Sequence, residues 1–185
     1  MSDAPVPGLA LLVVDVQPTF LKVMPEPERF LRRCHLAVSA AALLGVPVFF
    51  TEQVPAKLGP THPDLLLAAG PDRVVFGKTA FYAIGAPGLV EGLRQAGVAH
   101  VLVCGLEGPV CVYQTALDLL RAEFGVTLLS DAVTARRSDD LQVVLAALRA
   151  AGAQVLPVET VCYALLADAT HPRFRAFTDL VKQAA

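Results

Sequence analysis

The feature that most constrains this chain is a set of six short apolar runs rich in β-branched residues: Leu9 to Val14, Pro47 to Phe50, Arg73 to Phe76, His100 to Cys104, Val126 to Leu129 and Gln154 to Val158. A strand with one wet face alternates apolar and polar residues. Most of these runs are apolar nearly throughout, so they predict central strands of a parallel sheet buried on both faces. Between them, Pro27 to Leu44, Gly88 to Ala96, Val112 to Phe124 and Asp139 to Ala151 carry apolar residues near the 3.6 period of a helix. Gly45, Gly97 and Gly152 stand where those helices should stop. Two stretches break the rhythm. Glu52 to Gly70, with Pro55, Gly59, Pro60 and Pro63, is too rich in breakers for one helix and predicts a functional loop holding a short helix. Thr160 to Leu166 and His171 to Lys182 read as two short closing helices. The fold class is α/β, a doubly wound three-layer α/β/α sandwich, with ligands expected outside the carboxyl ends of the strands.

At 185 residues the chain fits one domain, spanning 1–185, with room for a full core. Fifteen Lys and Arg against seventeen Asp and Glu leave a net charge of -2, which argues against a nucleic-acid partner. Apolar residues make up 55% of the sequence, and this excludes global disorder. The stretch from Leu36 to Thr51 lacks Asp, Glu, Lys and Arg but is interrupted by Ser39, Gly45 and Pro47, so no membrane span or membrane partner is expected. Residues Met1 to Gly8 do not resemble a secretory signal, and the expected location is cytoplasmic. Cys34, Cys104, Cys111 and Cys162 then read as thiols. They form no C-x-x-C pair, and His35, His62, His100 and His171 are scattered, so no metal site is expected.

Chemistry should lie in the turns that leave the strands. Asp15-Val16-Gln17-Pro18 comes after the first run, Gly77-Lys78-Thr79 after the third, and Gly105 to Cys111 after the fourth, bringing an acid, a cation and a thiol to one sheet edge. The first strand-to-helix turn has no G-x-G-x-x-G, and no G-x-x-x-x-G-K-[ST] occurs, so a nucleotide lacks its phosphate cradle. Cys111 sits where a turn becomes a helix, and the helix dipole together with a nearby Lys78 is expected to favour its thiolate. Asp15 can take the thiol proton and return it to a leaving amine. A lone Cys is more often a buried structural residue, and it is the strand-end position that raises the functional reading.

The segments Leu11-Leu12-Val13-Val14-Asp15-Val16-Gln17, Gly77-Lys78-Thr79 and Gly105-Leu106-Glu107-Gly108-Pro109-Val110-Cys111-Val112 fall in the order seen in the isochorismatase-like cysteine hydrolases. The chain resembles that superfamily from about Leu9 to Lys182. Thr51-Glu52-Gln53, Leu58-Gly59-Pro60-Thr61 and His171-Pro172-Arg173-Phe174 are similar to the small isochorismatase-domain-containing proteins of uncertain substrate. The resemblance implies a six-stranded parallel sheet of order 3-2-1-4-5-6, a catalytic triad of Asp15, Lys78 and Cys111, and hydrolysis of a small amide or carbamoyl C–N bond through a thioester. It implies an oxyanion hole formed by the backbone N–H groups of Glu107 and Cys111, with a cis peptide between Leu106 and Glu107. It also implies a homo-oligomer acting on a small-molecule substrate without a cofactor. Isochorismatases proper lack the cysteine, so Cys111 points away from vinyl ether cleavage. Nicotinamidases carry an Asp-x-His metal motif where this chain reads Thr51-Glu52-Gln53-Val54-Pro55, which disfavours nicotinamide. Gly108, where many members have Thr, is followed by Pro109 and implies a rigid backbone turn in place of a hydroxyl contact. The rival reading is a non-hydrolytic binding or scaffold protein that keeps the fold.

Gln17, Phe20, Gln53, Phe81 and Tyr82 neighbour these motifs and are candidates for the substrate pocket, with core packing an equal reading for the aromatics. Cys34 and Cys104 are expected in the core, and Cys162 either packs or lines the pocket. Arg136 and Arg137 either bind a carboxylate or sit in a solvated loop or an inter-subunit salt bridge. His62 either supplies a proton at the mouth or is exposed, and Asp64 two residues on does not make it a metal site.

Overall fold

A computed structural model describes residues 6–184. Six strands, β1 (Leu9–Val14), β2 (Val48–Gln53), β3 (Val74–Lys78), β4 (His100–Gly105), β5 (Gly125–Val133) and β6 (Gln154–Leu156), form one parallel sheet in the order β3-β2-β1-β4-β5-β6. The order reverses between β1 and β4, so the crevice beyond their carboxyl ends is the topological switch point.

The helices are α1 (Pro18–Leu21), α2 (Pro27–Leu43), α3 (Pro55–Leu58), α4 (Pro63–Ala69), α5 (Leu89–Gln95), α6 (Tyr113–Arg121), α7 (Ser138–Ala150), α8 (Val158–Leu166) and α9 (Phe174–Gln183). The continuous apolar character of β1 follows from its position. Leu9, Leu11 and Val13 enter a core shared with α2, α8 and α9, whereas Ala10, Leu12 and Val14 enter a second core shared with α5, α6 and α7. β4 divides in the same way, Leu102 and Cys104 to the first core and Val101 and Val103 to the second. No helix among the described residues is long and apolar enough to cross a membrane.

Several boundaries differ from the sequence expectation. β2 runs on through Thr51 to Gln53 and β3 through Gly77 to Lys78, so those polar residues are the ends of strands and not parts of loops. The breaker-rich segment holds two short helices, α3 and α4, each opened by a proline. β5 extends to Val133, taking in Ser130-Asp131-Ala132, and β6 stops at Leu156. Burial on both faces fails at the two edge strands, β3, where Val74 and Val75 are 41% and 40% exposed, and β6, none of whose residues is buried. The helix expected from Val112 to Phe124 is present as α6 but ends at Arg121, and a wide π turn over Gly108–Val112 leads into it.

Candidate active site

The site is assembled where β1 and β4 end. Gly105 has φ +124°, and a Cβ there would overlap the Val14 backbone, so glycine lets the two strand ends touch. Leu106 N–H donates to the Val14 carbonyl at 2.9 Å across this contact. Asp15, the residue just past β1, has a left-handed φ of 53° and lies against β2 through its own N–H, 3.1 Å from the Thr51 carbonyl.

Its side chain is buried and shared. Thr51 Oγ1 donates to Asp15 Oδ1 at 2.8 Å, and Lys78 Nζ donates to Asp15 Oδ2 at 2.6 Å. Lys78 is itself buried, the last residue of β3, and its ammonium also donates to Gln53 Oε1 and to the Ala80 carbonyl at 3.1 Å. It lies 3.8 Å from Cys111 Sγ. Residues from the ends of β1 and β3 and from the turn after β4 thus meet at one point, and the three sequence candidates Asp15, Lys78 and Cys111 stand together.

Cys111 sits within the π turn. Val110 and Val112 N–H groups both donate to the Glu107 carbonyl at 3.1 Å, the second of these spanning five residues, while Pro109 supplies no donor. The Leu106–Glu107 peptide is cis. The thiol departs from expectation: burial first, and then the Asp15 charge and its hydrogen bond, push it up to about 12. Lys78 and the Glu107 backbone N–H pull in the opposite direction and do not prevail. The thiolate inferred from the helix dipole and Lys78 is therefore not the resting form. Cys111 is only 7% exposed, and the Asp15 carboxylate is the charge that favours its protonated form.

The polar pocket candidates are both engaged internally. Gln17 and Gln53 form a reciprocal pair, Gln53 N–H to Gln17 Oε1 at 2.8 Å and Gln17 Nε2 to the Gln53 carbonyl at 3.1 Å. Gln17 Nε2 also reaches the Gly59 carbonyl at 2.6 Å, and Gln53 Nε2 reaches the Thr79 carbonyl at 2.8 Å. They brace the lysine and the loop after β2. Phe20 is half-buried against the α2 core, whereas Phe81 and Tyr82 are exposed beyond the end of β3. Thr51 and Thr115, which sequence reasoning did not assign to the site, are both fully buried. Thr51 holds Asp15, and Thr115 Oγ1 accepts the Ala83 N–H at 2.8 Å, fixing the segment after Lys78 to α6. A hydroxyl at the carboxyl end of a doubly buried strand was the available signal for Thr51.

The remaining candidates separate. Cys34 and Cys104 are core residues, as expected, and Cys162 packs in the same core. Arg136 and Arg137 are neither free for a carboxylate ligand nor unpaired, since Arg136 grips Glu107 and Arg137 grips Asp140 within the chain. His62 opens α4, its Nδ1 3.8 Å from an Asp64 carboxylate oxygen. Among the described residues no group of three or more His, Cys, Asp and Glu is placed to hold a metal ion.

The model of the isochorismatase domain matches residues 9–160. The chain belongs to the isochorismatase family. Among its isochorismatase-family relatives are the "Secreted isochorismatase effector Isc1" of Phytophthora sojae, 35% identical with 94% of this chain and 84% of that protein covered, and the "Isochorismatase domain-containing protein 2" of Bos taurus, 35% identical with 96% and 85% covered. A solved structure of a MAR1 ribonuclease from Caenorhabditis elegans superposes with a TM-score of 0.90 at 29% identity, covering 97% of this chain and 93% of that one. The isochorismatase fold is thus shared over almost the whole chain, in a family whose members are generally hydrolases.

Proposed function

We propose that this protein is a metal-independent cysteine hydrolase that cleaves a small amide or carbamoyl C–N bond through a thioester, with Cys111 as nucleophile, Asp15 as acid and base, and Lys78 as their electrostatic partner. The observation that carries the reading is the meeting of these three groups at the switch point, the Lys78 ammonium 3.8 Å from the Cys111 sulfur and 2.6 Å from the Asp15 carboxylate. The raised thiol is compatible with it, because a nucleophile can be made at the moment of attack. As Sγ adds to the substrate carbonyl carbon, its proton passes to Asp15 and the carbonyl oxygen becomes an oxyanion facing the Glu107 and Cys111 backbone N–H groups. Asp15 then protonates the leaving nitrogen, the C–N bond breaks, and an amine or ammonia departs from the thioester. Asp15 next takes a proton from water as its oxygen attacks the thioester carbon, and the acid is released as the proton returns to sulfur. Lys78 holds positive charge beside the sulfur and the carboxylate throughout.

The non-hydrolytic scaffold reading has one observation in its favour, the same protonated, nearly buried Cys111. A ribonuclease activity, which the name of the Caenorhabditis elegans protein suggests, finds no support in a chain of net charge -2. Four free thiols suit a reducing, cytoplasmic compartment. The test is ammonia release from a panel of small amides and carbamoyl compounds by wild type and by Cys111→Ala. Release by wild type alone supports the hydrolase. Equal release by both variants removes Cys111 as the nucleophile, and no release from any compound turns the assignment to the scaffold reading.

A further inference from the structure

Glu107 is bound to the turn that carries Cys111, its carbonyl accepting from the Val110 and Val112 N–H groups on either side of the cysteine, with its own N–H favouring the thiolate, and the residues around Glu107 are tied to a different part of the chain, the segment between β5 and α7. Thr134 N–H donates to the Gly105 carbonyl at 3.3 Å, and Gly108 N–H donates to the Thr134 carbonyl at 2.8 Å. These bonds continue the β4–β5 pairing past the register shift between Val103 and Gly105. Between them the Glu107 side chain turns toward Arg136 and takes three donors from it: the backbone N–H at 3.1 Å and Nε at 2.8 Å on Oε1, and Nη2 at 3.1 Å on Oε2. This is a fork-to-carboxylate pair reinforced by a main-chain bond, a geometry that fixes orientation as well as distance. Leu141 of α7 closes the other side, its Cδ1 2.6 Å from where a Cβ on Gly108 would stand. Glu107 is thus held by its carboxylate from the β5–α7 segment and by its carbonyl from the π turn.

The Glu107 side-chain exposure is 15% against 63% for Arg136. Partial burial pushes the Glu107 carboxyl up, and the Arg136 bonds outweigh that and bring it below the ordinary carboxylate value. The pair is bidentate, and that geometry holds Glu107 in a fixed orientation to the β5–α7 segment.

We propose that Arg136 is a positioning residue: by clamping the Glu107 carboxylate it sets the Glu107 backbone N–H opposite the Cys111 sulfur, and so sets the donor that receives the developing oxyanion. The inference rests on the hydrolase reading for its catalytic meaning, but the geometry can be tested without a substrate. The probe is iodoacetamide, with the rate of Cys111 alkylation followed by peptide mass mapping at fixed pH for wild type, Arg136→Gln, Arg136→Lys, Glu107→Gln and the Glu107→Gln/Arg136→Gln double variant.

A field effect and a positioning effect predict different signs. If the pair acts only through charge, loss of the arginine slows alkylation, loss of the glutamate speeds it, and lysine restores the wild-type rate. If the pair positions the N–H, all three single variants are slower by about tenfold, the equivalent of one pKa unit, because lysine cannot reproduce the fork. The double variant is then no slower than either glutamine single, while unfolding midpoints stay at the wild-type value. Opposite shifts for Arg136→Gln and Glu107→Gln, or a wild-type rate in Arg136→Lys, overturn the proposal. Should Glu107→Gln fail to fold, the Arg136→Gln and Arg136→Lys pair alone decides. Because the readout is alkylation, absence of amide turnover leaves this result interpretable, and loss of the clamp leaves the hydrolase test standing.

Discussion

Cys111 is pulled in two directions, and the balance decides how the site works. Lys78 and the Glu107 N–H favour the thiolate, and burial with the adjoining Asp15 carboxylate favours the thiol more strongly. Alkylation of Cys111 in wild type is therefore expected to keep accelerating through pH 9 and beyond; a plateau reached by about pH 7 would mean a preformed thiolate. The same balance has a stability consequence. A thiol raised in the folded state stabilises the fold below its unfolded pKa of about 8.5, and that contribution is lost as pH rises toward its folded value. Cys111 and Cys162, both raised to about 12, act together. Chemical denaturation should give an unfolding free energy that falls from about pH 8.5 upward, less steeply in Cys162→Ala. At Lys78, replacement by Met strands Asp15 without its buried partner and should cost about 3–5 kcal/mol, part of it recovered by adding Asp15→Asn. The identities of Asp15, Lys78 and Cys111 were legible because each is a polar or reactive group just past or within a turn of an apolar run. The direction of the thiol shift was not, since it depends on burial and on a carboxylate 96 positions away in sequence, and neither is encoded locally.

At the scale of elements, the apolar runs predicted six parallel strands and the family resemblance supplied their order, but the runs ended too early. Polar residues at strand ends, such as Thr51, Gln53 and Lys78, look like loop in a hydropathy pattern, although their backbones pair in register with neighbouring strands. The β3 edge also escaped the pattern. Val74 and Val75 look identical to central-strand valines until the order of the sheet places them at its margin. Gly105 carries the prediction that belongs here. Gly105→Ala must relieve both a positive φ and an overlap with the Val14 backbone, and a cost on the order of 3 kcal/mol is expected, lowering the melting temperature by roughly 6–12 °C. A melting temperature within a degree of wild type would mean that β1 and β4 can separate at their ends without penalty, and that this contact does not assemble the site.

For the molecule as a whole, the family and the fold follow from nearly the full length of the chain, whereas the reaction rests on a few groups at one sheet edge. The exposed Val74 and Val75 on the edge strand, with Phe81 and Tyr82 just beyond it, are apolar side chains that a second copy would cover. Light scattering should accordingly give an integral multiple, greater than one, of the chain mass; a monomer at micromolar concentration would count against self-association. Covalent catalysis by Cys111 is decided by acid-quenched intact-mass spectrometry during turnover of an amide that releases ammonia. The expected result is an added acyl mass on wild type, mapped to the Cys111 peptide, and none on Cys111→Ala. Turnover with the adduct absent from wild type, or the same adduct persisting in Cys111→Ala, would rule out Cys111 as the nucleophile.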